Sequence, residues 1–217
     1  MYHGVLFDLD GVLFDTEPIH RLAWIEAMKS LGHSITEESL MQWTGIPCLE
    51  LARFYEQTIS PRLDRSVYHR RKGEYFRQLA PRMLEPFSGL IDIVAQIARR
   101  VSVAHVTSND RIDADLMLGT TGFDRLLPIG VAYEEVSRHK PAPDPYLAGA
   151  ARLEIAPSQC VALEDSPSGI ASARSAGMAV AGIASTFPMR ELKDATRVFP
   201  SSLEGAEWVL ALLREPN

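Results

Sequence analysis

Cysteine is scarce: Cys48 and Cys160 are the only two in 217 residues. Thiols this far apart form no disulfide framework and share no metal-ligand spacing. Blocks of lysine and arginine are missing too, and the formal net charge is −6. Phosphate-backbone contacts need a basic surface, so nucleic acid is not an expected partner. A small anion remains compatible, because one cation and a few donors can hold it. No apolar run approaches the roughly 18 residues that span a bilayer, so no membrane partner is expected. The first 20 residues carry Asp8, Asp10, Asp15 and Glu17, unlike a secretory signal. The expected setting is a reducing cytoplasm. Internal repeats and low-complexity tracts are absent as well.

What is present is ordinary globular composition, 46% hydrophobic and 23% charged. The length allows a large core plus a small accessory domain. The apolar run "GVLF" reads as a buried strand. "PIHRLAWIEAMKSLG" then reads as a helix, with Pro18 in its first turn and Gly32 at its stop. From there to about Pro86 the patterns are helical, as in "CLELARFYEQTI" and "RSVYHRRKGEYFRQLA".

After "EPFSG" the character changes. A helix, "SGLIDIVAQIARR" with Ser88 as candidate N-cap, leads into the strand "VSVAHV". The helix "RIDADLMLGTTG" and the apolar "LLPIGVA" follow. "KPAPDPYLAGAARL" gives a helix with Asp144 as candidate cap, then come the strand "CVALED" and the helix "SPSGIASARSAG". "MAVAGIA" is the last clear strand, and the tail "REPN" is expected to fray. Such alternation predicts an α/β fold with a parallel sheet covered on both faces. The helical stretch breaks that rhythm. It predicts an all-helical cap domain, residues 15–86, inserted after the first strand of a core built from 1–14 and 87–217.

In open α/β sheets, ligands bind beyond the carboxyl ends of the strands. The polar residues fall at those ends. The first strand runs into Asp8 and Asp10, "VSVAHV" into Thr107, Ser108 and Asn109, and "CVALED" into Glu164 and Asp165. Lys140 precedes a helix after an apolar stretch. Parallel strands would gather these groups at one edge. So many carboxylates cannot all stay ionised together without a cation. A hard divalent ion such as Mg²⁺, with oxygen ligands and a substrate phosphate, resolves the conflict. A carboxylate can also be a nucleophile and pass through an aspartyl phosphate.

Roles follow from position. Asp8 is the nucleophile candidate, and Asp10, two residues on, could protonate the leaving oxygen and later accept a proton from water. Thr107 and the amides after it, at Ser108 and Asn109, could hold phosphate oxygens. Lys140 could neutralise the nucleophile and the transferring group. Asp165, with Glu164, would complete the metal site. Taken singly, each has a plainer reading: helix capping for Glu164, Asp165, Thr107 and Ser108, and an ordinary surface lysine for Lys140. Their joint order and placement at strand ends set them apart.

The segments "FDLDGVLFDT", "VTSN", "HKPAPDPY" and "LEDSPSGIASARSAGM", in that order, resemble the haloacid dehalogenase superfamily. Within it the chain is similar to the β-phosphoglucomutase-like group. The resemblance implies a Rossmann-like core, a closing helical cap and a Mg²⁺-dependent phospho-aspartate mechanism. It puts the nucleophile on Asp8, the acid/base on Asp10, the phosphate-binding hydroxyl on Thr107 and the lysine on Lys140. It puts the metal on Asp8 and Asp165, with Glu164 adjacent and the backbone carbonyl of Asp10 as a further ligand. The dehalogenases lack the second aspartate, so Asp10 points to phosphoryl chemistry.

In the cap, His20, Trp24 and Lys72 fall where substrate-facing residues of the group occur. The plainer readings are a solvent-facing His20, a core Trp24 and a solvated basic run from Arg70 to Lys72. Mutases of the group carry an arginine in the loop corresponding to "WTGIPCLE", where Cys48 stands here; Arg53 is further along. Phosphonoacetaldehyde hydrolases need a cap lysine, and residues 39–57 contain none. The expected activity is hydrolysis of a small phosphate monoester, a sugar phosphate above all, by a monomer or weak homodimer. The alternatives are a phosphosugar mutase and a noncatalytic phosphometabolite-binding protein.

Overall fold

A four-residue strand must bury both faces to be stable here, and Gly4–Phe7 does so completely. This is β1 of a computed structural model that describes residues 1–41, 48–58 and 64–213. Helices α1 (Glu17–Ser30), α2 (Glu37–Met41), α3 (Cys48–Thr58) and α4 (Arg65–Met83) follow. Next come α5 (Leu90–Ala98), β2 (Ser102–Val106), α6 (Arg111–Thr121), β3 (Gly130–Val131) and α7 (Asp144–Arg152). The chain continues with β4 (Cys160–Glu164), α8 (Pro167–Ser175), β5 (Ala179–Ile183), β6 (Arg197–Phe199) and α9 (Ser202–Leu212). "REPN" lies outside the described residues. Among those residues, no helix is long and apolar enough to cross a membrane.

The strands form one parallel sheet in the order β3-β2-β1-β4-β5-β6. β1 is central, with Phe7 opposite His105 on β2 and Leu163 on β4. The carboxyl ends of three strands therefore lie side by side. On one face Leu6, Val106, Tyr146, Ala162, Ile170 and Val180 share a buried core. The expected α/β architecture with a parallel sheet is what the chain adopts.

Details of the ends differ from expectation. α5 is preceded by Gly89 in the left-handed region (φ 75°), not capped by Ser88. The Leu90 amide instead bonds the Phe87 carbonyl at 3.1 Å. Asp144 sits inside the first turn of α7, after Pro143, and makes no cap bond. Its carboxylate accepts from Arg138 Nε at 3.0 Å. "LLPIGVA" supplies just the two-residue β3, and the sixth strand, β6, is a short edge strand.

His105 fixes the β2–β3 edge. Arg111 Nη1 lies 3.1 Å from its Nε2, and a guanidinium can only donate, so Nε2 accepts. Nδ1 therefore carries the proton and donates to the Leu127 carbonyl at 3.2 Å. Burial first, then the Arg111 charge, pushes this imidazole down to about 4.

The chain divides into two compact units: residues 1–15 with the chain from Glu85 onward, and Thr16–Leu84. The regular elements among the second unit's described residues are all helices. Its core joins Trp24, Ala27 and Met28 of α1 to Leu51 and Tyr55 of α3 and Tyr68 of α4. Asp64 caps α4 by accepting from the Ser66 and Val67 amides at 2.8 and 3.3 Å.

Candidate active site

Strand β1 ends at Phe7, and the chain turns at once. The Asp8 amide still bonds the Leu163 carbonyl at 3.1 Å, so Asp8 leaves the sheet beside the end of β4. A tight turn follows, with the Gly11 amide on the Phe14 carbonyl at 2.8 Å. Gly11 has φ 66°, and a Cβ there would stand 1.9 Å from Asp165 Oδ2. Only glycine lets this turn approach the acid so closely. Ser185, after β5, donates its hydroxyl to the Gly11 carbonyl.

The end of β4 supplies Glu164 and Asp165, both buried. Lys140 reaches them from the loop before α7. Its ammonium donates to Asp8 Oδ1 at 2.9 Å, Glu164 Oε1 at 2.6 Å and the Val106 carbonyl at 3.1 Å. Those three bonds use all three protons of the ammonium. Tyr146 on α7 donates to Glu164 Oε1 at 2.8 Å. Ser166, the N-cap of α8, donates from its hydroxyl to Glu164 Oε2 at 3.2 Å and accepts from the Gly169 amide at 3.0 Å. The first turn of α8 presses on the same carboxylate. A Cβ on Gly169 would lie 1.9 Å from Glu164 Cδ.

The end of β2 supplies Thr107, buried, with its amide on the Val131 carbonyl at 3.0 Å. The Asn109 amide donates to Thr107 Oγ1 at 3.1 Å. The Asn109 side chain donates to Asp10 Oδ2 at 2.5 Å, so it touches the second aspartate. Ser108 is exposed. Asp8, Asp10, Thr107, Asn109, Lys140, Glu164 and Asp165 are thus linked, directly or through one neighbour, at the carboxyl edge of the sheet.

The profile of the haloacid dehalogenase-like hydrolases matches residues 5–183. The chain belongs to that family. It is 34% identical to the fructose-1-phosphate phosphatase YqaB of Escherichia coli, over 82% of this chain and 94% of the relative. The β-phosphoglucomutase of Bacillus subtilis is 27% identical, over 86% of this chain and 85% of that one. Among solved structures, CbbY of Rhodobacter sphaeroides in complex with phosphate superposes with a TM-score of 0.83 at 26% identity. That match covers 95% of this chain and 100% of that one. These relatives put the chain in the β-phosphoglucomutase-like group of the haloacid dehalogenase superfamily.

Whether this family member's residues fit a metal ion can be judged from the charges. Oxygens of Asp8, Glu164 and Asp165 lie within 4.8 Å of one another, all buried. Burial pushes the Asp8 carboxyl up to about 8; Lys140 pulls it down, and Glu164 and Asp10 add to the rise. Burial, then Asp8 and Glu164, holds Asp165 well above the ordinary carboxylate range. Burial also pulls Lys140 down, but Asp8 and Glu164 more than offset it and keep the ammonium charged. The acids outnumber the ammonium they surround. Both oxygens of Glu164 already accept bonds, whereas Asp8 and Asp165 crowd without enough positive charge. A hard divalent cation with oxygen ligands fits that imbalance.

The residues expected to contact substrate from the helical unit are placed within that unit. His20 stacks on Phe76, with ring centroids 4.6 Å apart and an interplanar angle of 17°. Lys72 is buried, its ammonium 5.0 Å from the same ring centroid. Arg70 and Arg71 are more exposed and lie near Glu74 instead, so the basic run splits between two environments. Trp24 belongs to the unit's core. The loop "WTGIPC" up to residue 47 lies outside the described residues, as does the Cys48 side chain.

Four contributors were missed in this family's site by reading the sequence, Ser166 at the cap of α8 among them. Tyr146 follows Pro145 in a segment that otherwise reads as a helix start. Ser185 and Thr186 come after the last clear strand; Thr186 bonds the Asp165 carboxylate. An alternation rule could have found the last two, because the ends of β1, β2 and β4 all carry polar residues.

Proposed function

We propose that the chain is a Mg²⁺-dependent phosphatase that hydrolyses a small sugar phosphate through a phospho-Asp8 intermediate. The observation that carries this reading is the Asp8 carboxylate. It leaves β1 at the carboxyl edge, is anchored through Oδ1 by Lys140 and stands in a cluster of buried acids. Similarity to a fructose-1-phosphate phosphatase supports the substrate class.

Asp8 and Asp165 would hold the ion through side-chain oxygens, with Glu164 beside them and the Asp10 backbone carbonyl completing the protein's share. When bound, Mg²⁺ supplies charge compensation for the crowded carboxylates and the phosphoryl oxygens. The free Asp8 oxygen attacks phosphorus while the bond to the sugar oxygen breaks. Asp10 gives its proton to that oxygen, so the leaving group departs as an alcohol. Water then attacks the phosphorus of the acyl phosphate. Asp10, now a carboxylate, takes a proton from the water, and the bond between phosphorus and Asp8 oxygen breaks. Thr107 donates its hydroxyl to a phosphoryl oxygen, with Ser108 and Asn109 beside it. Lys140 holds Asp8 in place and offsets charge that builds on the transferring group. Glu164, Tyr146 and Ser166 keep Lys140 aimed.

In this reading residues 15–86 form a cap that closes over the substrate, contributes His20 and Lys72 to its binding, and excludes bulk water. The test is a panel of phosphorylated sugars, fructose 1-phosphate included, scored for released phosphate with Mg²⁺ present. Release that disappears in Asp8→Asn is expected. Isomerisation of a sugar phosphate without release would make the chain a mutase. Binding without either reaction would make it a noncatalytic receptor.

A further inference from the structure

At the amino ends of the strands, opposite the catalytic edge, the core unit carries a second concavity. It is a groove of about 720 Å³, lined by His3, Arg99, Arg100 and Arg125 over apolar residues that include Val101 and Ile129. His3 precedes β1, the paired arginines follow α5, and Arg125 ends the short 3₁₀ turn Phe123–Arg125. Two separate segments thus deliver guanidinium groups to one place, and a third adds the His3 ring.

No carboxylate lines the groove. The overall charge is −6, so acids are in surplus elsewhere on the chain. Arg100 Nη1 donates to the Leu210 carbonyl in the last turn of α9 at 3.3 Å, a partner that is not a carboxylate. No ion pair of Arg99, Arg100 or Arg125 occurs among the described residues. Cations after a helix complement its dipole, which accounts for Arg99 and Arg100. It does not account for Arg125, nor for the apolar floor between them.

We propose that this groove binds an organic polyphosphate of the nucleoside triphosphate class. Guanidinium forks match phosphate oxygens in pairs and stack on planar rings. The volume falls in the range of small-molecule sites, which combine an apolar lining with a few placed polar groups. The apolar floor would take the base and the arginines the phosphates. The groove shares no lining residue with the cluster around Asp8.

Calorimetric titration with ATP, in EDTA at low ionic strength, tests this. The parent chain is expected to bind a single ATP, more weakly as salt is added. Arg99→Ala/Arg125→Ala should weaken binding roughly ten-fold or more, the size of a lost charge-assisted bond. Arg125→Glu, a single reversal at an exposed position, should weaken it too. Inorganic triphosphate should bind less tightly than ATP, because it leaves the floor uncovered. Sugar-phosphate hydrolysis without ATP should be the same in parent and variants, so the two readings stand or fall separately. The proposal is overturned by no binding at about 1 mM ATP, by equal affinity in parent and variants, or by equal affinity for triphosphate and ATP.

Discussion

At the scale of single residues, the site is a set of acids arranged around one ammonium. Asp8→Asn preserves the side chain's shape and removes the carboxylate that is the nucleophile in the proposed function. Phosphate release at saturating Mg²⁺ is expected to fall by about 10³-fold or more, with an unchanged circular dichroism spectrum. Tyr146→Phe deletes one bond to a buried carboxylate whose other partners remain. Urea denaturation should show a loss of roughly 2 kcal/mol. Asp8, Asp10, Thr107, Glu164 and Asp165 could be picked out because each follows an apolar strand, where a polar residue is conspicuous; Lys140 stood out only by its place in the order of the segments. Tyr146 could not. Its ring joins the core as any aromatic would, and only its hydroxyl reaches Glu164. That a phenol oxygen has a buried partner depends on how α7 lies across the sheet, which no local pattern encodes.

At the scale of elements, the β2–β3 edge depends on a neutral histidine. His105 is held down to about 4, against 6.5 in an unfolded chain. As pH falls below 6.5, the unfolded state takes up a proton that the folded state refuses. Stability is therefore lost between about pH 6.5 and pH 4, by up to roughly 3 kcal/mol. In His105→Gln, urea titrations across that window should give a flatter pH dependence than the parent. α8 invites a second change. In Gly169→Ala the new methyl would collide with the Glu164 carboxylate, and overpacking of this kind costs about 1–3 kcal/mol. The melting temperature of that variant should fall. Long helices such as α1 and α6, and β4 with its unbroken apolar run, could be read from the chain. β6 could not, because three edge residues with mixed exposure carry neither alternation nor a sustained apolar run. The starts of α5 and α7 shifted by a residue or two, where Gly89 and Pro143 took the cap positions from Ser88 and Asp144.

At the scale of the whole molecule, the proposed function would make the crowded acids tie stability to the ion. Added Mg²⁺ is expected to raise the melting temperature, by about 5–10 °C at a hundred-fold excess over its dissociation constant. Asp165→Asn should abolish that rise while leaving a folded protein, as read by differential scanning fluorimetry. Alternating strands and helices made a parallel sheet legible. The strand order was not, because pairing links segments remote in sequence. β1 illustrates the point: its two neighbours, β2 and β4, come from the middle of the chain and from its last third. A polypeptide still emerging from the ribosome, and not yet past Cys160, already displays Asp8 and Asp10 but has neither Glu164 nor Asp165 to set against them. The acid cluster is therefore completed late in synthesis, and a prematurely terminated product would carry the first two aspartates without the partners that surround them in the folded chain.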